Sequence, residues 1–256
     1  MYSILATARG ALGDLEELLL PVACLGCGAW LPTSTEARWC CAVCRSRMRP
    51  LAPPTCRRCG QPLDNWEVGR TGGQADGRAG CGFCAEWPAA LAWAASAVWM
   101  EEGPARELVH GLKYGGWRAA ARPMAEVMAR TLHARLDAVD RLVPVPLGRR
   151  RQRERGHNQA DVLARALGAL AGIPVAEGGL RRVRETRSQT ALGPRGRWAN
   201  VAGAFAGGEG LSGTRVALVD DVLTTGATLA ACAAALAVGG AGVVGAVTFA
   251  RAAIPH

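Results

Sequence analysis

Eight cysteines in the first third of the chain form four Cys-x-x-Cys pairs: Cys24/Cys27, Cys41/Cys44, Cys56/Cys59 and Cys81/Cys84. A two-residue gap lets both thiolates of a tight turn face one ion, and two such knuckles complete a tetrahedral sulfur site. Taken in chain order, the pairs predict two structural four-cysteine zinc sites, each closing a short ribbon. Gly26, Gly28, Gly60 and Gly82 suit the knuckles, whose turns call for positive φ beside the ligands. Ribbons this small have almost no apolar core, so the metal supplies much of their folding energy. A set of disulfides is the other use for such cysteines. It fits poorly with an N-terminus that lacks a basic start before an apolar run and carries Asp14, Glu16 and Glu17. Cys40 adjoins a ligand and can replace Cys41 in the register, whereas Cys232 lies in an Ala-rich stretch and reads as a small core residue.

These cysteines divide the 256 residues. Residues 1–20, with Leu12, Leu15, Leu18 and Leu19 at helical spacing, predict an amphipathic helix. Residues 21–88 form the double zinc ribbon, with 64–80 as a Gly-rich polar loop between its last two knuckles. Residues 89–256 form a separate α/β body. Basic side chains exceed acidic ones by nine, which points to anionic partners such as phosphates or nucleic acid. Lys113 is the only lysine, and a GC-rich genome produces the same Arg-for-Lys and Ala-rich bias, so the charge is weighted lightly. Arg38, Arg45, Arg47, Arg49, Arg57 and Arg58, with Trp30 and Trp39, fit a nucleic-acid surface and a solvated basic face equally well.

In the body, strands alternate with helices, which implies a mostly parallel sheet covered on both faces. Strands are expected over 91–100, 141–146, 180–183, 216–220 and 243–248. Helices are expected over 104–112, 117–136 (interrupted near its start by Pro123), 158–171 with Asn158 as cap, and 225 or 226 to 238. Residues 184–200 read as a long loop. Residues 226–250 carry no charge and could imitate a membrane span, but Gly239 and Gly240 interrupt them; a buried helix followed by a buried strand explains them better, with no membrane insertion.

Residues 216–228, VALVDDVLTTGAT, carry the chemistry. Four apolar residues make a strand that ends at Asp220 and Asp221, and a Thr- and Gly-rich loop then opens into a helix. That layout surrounds one anion with backbone N–H groups and a helix N-terminus. Thr224, Thr225 and Thr228 add hydroxyls, Gly226 lets the backbone approach closely, and Ala227 belongs to the same binding loop. The carboxylates would repel a bare phosphate but would accept hydrogen bonds from two ribose hydroxyls. A sugar diol beside a 5-phosphate is the shape of phosphoribosyl pyrophosphate (PRPP) or a nucleotide. A Walker-type loop is excluded, because no Gly-Lys-Ser/Thr follows. Upstream, Val143-Pro144-Val145-Pro146-Leu147 leads into the Arg149–Arg155 cluster, the expected place for a pyrophosphate-holding loop. Arg155, Asn158 and Gln159 are its candidate residues with Pro146 and Leu147, and Gln189 and Thr190 belong to a lid over residues 184–200. His157 reads as a structural residue ahead of a proton carrier.

Together, the four cysteine pairs, Leu112-Lys113-Tyr114, the 143–147 segment, Arg155-Gly156-His157-Asn158-Gln159-Ala160, Thr186-x-x-Gln189-Thr190-x-Leu192, Asn200-Val201-x-x-Ala204-Phe205 and residues 216–228 resemble the ComF family of competence proteins. His157 stands where that family often has Phe. The resemblance implies a type I phosphoribosyltransferase-like fold behind a double zinc ribbon, with magnesium bound alongside PRPP. It also implies a cytoplasmic role with incoming single-stranded DNA and the competence helicase machinery. Two functions follow. One is phosphoribosyl transfer resting on Asp220 and Asp221, with pyrophosphate release. The other is non-catalytic single-strand binding, with the same loop sensing phosphate and ribose. No aromatic platform is visible beside the 149–155 cluster.

Overall fold

The strand–helix alternation builds one parallel sheet with a different layer on each face. This computed structural model describes residues 22–31, 39–63, 80–186 and 194–253. The expected N-terminal helix, most of the 64–80 loop, Arg38, Gln189 and Thr190 lie outside them. In the ribbons, β1 (Val22–Ala23) pairs antiparallel with β2 (Trp30–Leu31), and α1 (Ala42–Ser46) follows. The body then runs β3 (Trp93–Met100), α2 (Pro104–Tyr114), a 3-10 turn (Arg118–Ala120), α3 (Ala121–Thr131), α4 (His133–Leu136) and β4 (Arg141–Pro144). Next come α5 (Arg149–Arg155), α6 (Gln159–Ala171), β5 (Leu180–Arg182), α7 (Pro194–Val201) and β6 (Phe205–Gly207). β7 (Arg215–Leu223), α8 (Ala227–Val238) and β8 (Val243–Ala252) complete it.

The sheet order is β3-β8-β7-β4, every pairing parallel, so β8 and β7 are central and apolar on both faces. Along β7, Val216 and Leu218 enter one core while Ala217 and Val219 enter the other. Leu108 and Leu112 of α2, Met124 and Met128 of α3 and Leu163 and Leu167 of α6 fill the first core. Leu229, Ala233 and Leu236 of α8, with Leu180 of β5 and Phe205 of β6, fill the second. Each such leucine contributes about 1.5–3 kcal/mol through its buried side chain. The uncharged C-terminal stretch is α8 followed by β8, as expected. Among the described residues no helix is long and apolar enough to cross a membrane.

The ribbons divide between the two cores. Cys24, Cys40, Cys44 and Met48 belong to the first; Cys56, Cys59, Cys81, Cys84 and Trp87 belong to the second. Between them the chain runs along the outer edge of β3: Trp99 N donates to Arg49 O at 2.9 Å and Ala94 N to Arg58 O at 2.7 Å. That cover satisfies an otherwise open strand edge. Two ribbon arginines serve this docking, and a third braces the ribbon itself. Arg45 pairs with Glu126 of α3, Arg49 with Glu101 at 2.6 Å, and Arg58 donates to the carbonyls of Cys84, Trp87 and Pro88.

Five expectations are corrected. The helix expected over 117–136 is a 3-10 turn, α3 and α4, broken at Leu132 (φ −109°, ψ 13°). Pro123 stands in the first turn of α3, where its missing N–H costs nothing, so it helps start the helix. β7 continues through both carboxylates to Leu223, because Val222 and Leu223 still pair with Ala250 and Arg251 of β8. The Arg-rich segment is the helix α5 rather than a loop, and Pro194–Val201 of the expected 184–200 loop is helical. Arg, Gln and Glu are good helix formers, the Glu185 carboxylate accepts from Arg149 N at 2.6 Å, Arg150 pairs with Glu154, and Gly156 (φ 71°) ends α5.

Candidate functional site

The carboxyl ends of β4 and β7 open onto a cleft of about 280 Å³. It is lined from one side by Asp220, Asp221, Thr224, Gly226, Ala227 and Thr228, and from the other by Pro146, Leu147, Arg155 and Gln159. Two segments about seventy residues apart in sequence therefore meet at one place, because parallel strands β4 and β7 are direct neighbours.

Asp221 is 3 % exposed and its carboxylate lies 2.8 Å from Lys113 Nζ at the end of α2. Burial pulls the Lys113 pKa down, but the Asp221 carboxylate outweighs it and holds the ammonium above its ordinary value. Asp220 accepts from the Asp221 amide at 2.9 Å. Burial, and then the Asp221 charge, push the Asp220 carboxyl up to about 8 despite Lys113. The pair is thus a carboxylate bridged to Lys113 beside a carboxyl that keeps its proton up to about pH 8. After them, Gly226 caps α8 at φ 82°, a left-handed conformation that L side chains rarely adopt. Thr225 does not line the cleft; its hydroxyl accepts from Ala227 N at 3.4 Å and shapes the loop.

On the opposite wall Arg155 donates to Gln159 Oε1 at 3.0 Å and lies 4.9 Å over the Tyr114 ring. Asn158 is turned away. Its Oδ1 caps α6 at Ala160 N (3.2 Å) and its Nδ2 reaches Val145 O at 3.0 Å, so it braces the loop rather than facing a ligand. His157 is buried, with Nδ1 at 2.9 Å from Arg155 O and Nε2 at 2.8 Å from Leu112 O, tying α5 to α2.

Sequence reasoning assigned no site role to Lys113, Tyr114 or Arg182, which line the cleft with Arg151 of the expected pyrophosphate cluster and Arg197 of the expected lid. The solitary lysine was a usable signal for Lys113. Nothing local marked Arg182, which arrives from β5 and stacks 5.2 Å over Phe205. Burial, then the like charge of Arg151, lower its pKa, so an anion bound beside Arg182 would relieve it. The beside-cluster aromatic that the sequence did not reveal is Tyr114, 61 % exposed under Arg155.

The thiols form two groups, Cys24/Cys27/Cys41/Cys44 and Cys56/Cys59/Cys81/Cys84, each with all sulfurs within 4.8 Å of one another. A tetrahedral zinc with bonds of about 2.3 Å requires sulfur–sulfur edges of about 3.8 Å. The Sγ separations are 3.9 Å for Cys27–Cys41, 3.8 Å for Cys56–Cys84, 3.5 Å for Cys59–Cys81 and 4.0 Å for Cys81–Cys84. Both groups fit structural zinc, in the chain-order pairing. Cys41, not Cys40, is the ligand; burial pushes the Cys40 thiol up to about 12. Gly28 and Gly60 take φ 73° and 70°, whereas Gly26 is required because a Cβ would stand 2.8 Å from Cys44 Sγ.

Residues 15–85 match the double zinc ribbon domain family. The chain is 31% identical over 210 residues to the DNA utilization protein YhgH of Escherichia coli K12, covering 80% of this chain and 86% of that protein. The same-named protein of Salmonella typhi is 32% identical over 232 residues, 89% of this chain and 96% of that one. Competence protein F of Haemophilus influenzae is 42% identical over 91 residues, 34% of this chain and 40% of its own. Among solved structures, Leishmania donovani UMP synthase matches 57% of this chain and 24% of its own at 23% identity, with a TM-score of 0.34.

Proposed function

The chain belongs to the family of YhgH and competence protein F (ComF), and from that premise we propose that it is a PRPP-binding, phosphoribosyltransferase-like protein of DNA utilisation and natural transformation. The observation that carries the proposal is the single cleft in which an acidic pair and a Thr/Gly loop face Arg155.

In this reading the 5-phosphate sits at Thr224, Gly226, Ala227 and Thr228, against the N-terminus of α8. Asp220 and Asp221 accept hydrogen bonds from the ribose diol, with Lys113 holding Asp221 in place. Arg155, helped by Arg151 and Arg182, takes the pyrophosphate. The carboxylates of Asp220 and Asp221 are hard oxygen donors that would suit magnesium arriving with PRPP, and such an ion would supply charge neutralisation for the leaving group. A nitrogen of the acceptor forms a bond to C1 of the ribose as the C1–oxygen bond to pyrophosphate breaks, and the nitrogen then loses its proton. PRPP carries its own leaving group, so these residues act by positioning and by electrostatic stabilisation. The residues of 184–200, with Gln189 and Thr190, are the proposed lid, and the cytoplasm, where DNA arrives as single strands for the helicase machinery, is the proposed setting.

The test is pyrophosphate release. Mixing the protein with Mg–PRPP and a panel of nitrogenous bases should release pyrophosphate with at least one of them; none across the panel would leave a binding protein only. One observation favours that second reading. Arg155 over the exposed Tyr114 at the mouth of the cleft is a stacking platform beside guanidiniums, as single-strand binders use.

A further inference from the structure

The second ribbon reaches the proposed phosphate loop through the side chain of Trp87. Trp87 follows Cys84 by three residues and is only 4 % exposed. Its backbone is held by the ribbon: Trp87 N donates to Cys84 O at 3.1 Å, and Arg58, next to Cys59, donates to Cys84 O and to Trp87 O at 3.1 and 2.9 Å. Its ring is held as well, edge-on against Phe83 at 5.6 Å; Arg251 lies 4.2 Å over Phe83 and donates to Cys59 O at 2.8 Å.

On its other side the indole N–H donates to Thr225 O at 3.2 Å. The same ring fills the space a side chain at residue 226 would need, with Cζ2 2.5 Å from a Cβ built there. Gly226 is therefore required for its left-handed φ and again for this contact. A trans peptide is planar, with its C=O and N–H pointing in opposite directions. Fixing the Thr225 carbonyl toward Trp87 turns the Gly226 N–H away from the ribbon, and Gly226 lines the cleft.

We propose that Trp87 is a positioning residue through which the second zinc ribbon aims the Gly226 N–H at the bound 5-phosphate, so that the zinc-built ribbon sets the loop's affinity. This rests on the PRPP reading of the loop. The test uses the full zinc-loaded chain, with Trp87→Phe, which keeps a ring and loses the donor, and Trp87→Leu, which loses the ring. Zinc content, amide exchange over residues 224–229 and affinities for Mg–PRPP and for inorganic pyrophosphate are measured on each. The expected result for Trp87→Phe is full zinc content, loop exchange and Mg–PRPP dissociation constant both raised about 2- to 10-fold, as one hydrogen bond predicts, and pyrophosphate affinity unchanged. Wild-type exchange and PRPP affinity in both variants would overturn the proposal, as would a parallel loss of pyrophosphate affinity, which would mean general loosening. If the wild type binds no Mg–PRPP, the ligand reading fails. Loop exchange then decides alone, with acceleration supporting Trp87's role and unchanged exchange overturning it.

Discussion

Asp220 and Asp221 show how adjacent identical residues acquire different properties. Asp221 is charge-paired with Lys113, while Asp220 is pushed up to about 8. Because that value lies above the one in the unfolded chain, the Asp220 contribution to stability is fully present below about pH 4 and is lost as pH rises through about 8. Thermal melts at pH 5 and pH 9 should therefore show Asp220→Asn gaining on the wild type at the higher pH; a constant difference would deny the raised value. Ligand binding runs the opposite way, since the diol needs the ionised carboxylate. Mg–PRPP affinity should weaken by up to about tenfold per pH unit below 8 in the wild type, beyond any change in Asp220→Asn. At this scale the sequence was legible where chemistry is contiguous, as in the acidic pair, and silent where it is assembled. Tyr114 and Arg182 reach the cleft from α2 and β5, and no local pattern announces a partner more than thirty residues away.

Among the elements, α5 matters most for the proposed pyrophosphate wall. Helix formation places Arg151 and Arg155 one turn apart on one face, so both line the cleft. A Pro-rich approach suggested a loop, but the capping carboxylate of Glu185 lies thirty-six residues downstream of Arg149 and was not legible. Arg155→Ala should weaken inorganic pyrophosphate binding roughly 10- to 100-fold, the worth of charged hydrogen bonds. Arg155→Lys should restore little, because an ammonium cannot fork onto two oxygens. Titration calorimetry with pyrophosphate checks both, and wild-type affinity in Arg155→Ala would remove that residue from the site. The end of β7 was misjudged for a related reason. Strand pairing is set by the backbone of β8, so it continues past carboxylates whose side chains leave the core for the cleft.

For the molecule as a whole, the cysteine spacing and the strand–helix alternation conveyed the architecture, because each repeats at short range. The docking did not show, because it depends on which face of the sheet each ribbon meets. With Cys24 and Cys44 in one core and the second cysteine group in the other, the ribbons are part of the body's packing. Metal analysis should find two zincs per chain, and stripping them with a chelator should lower the melting temperature of the entire chain, β7 and β8 included; a body that melts unchanged without zinc would contradict this. The central claim is that the cleft at the carboxyl ends of β4 and β7 holds PRPP through its acidic pair. Calorimetric titration of Mg–PRPP into the wild type and into the Asp220→Asn, Asp221→Asn double variant tests it most directly. One site per chain that weakens at least roughly tenfold in the variant, as lost charged hydrogen bonds require, is the predicted result; no binding to the wild type, or equal binding to both proteins, would contradict it.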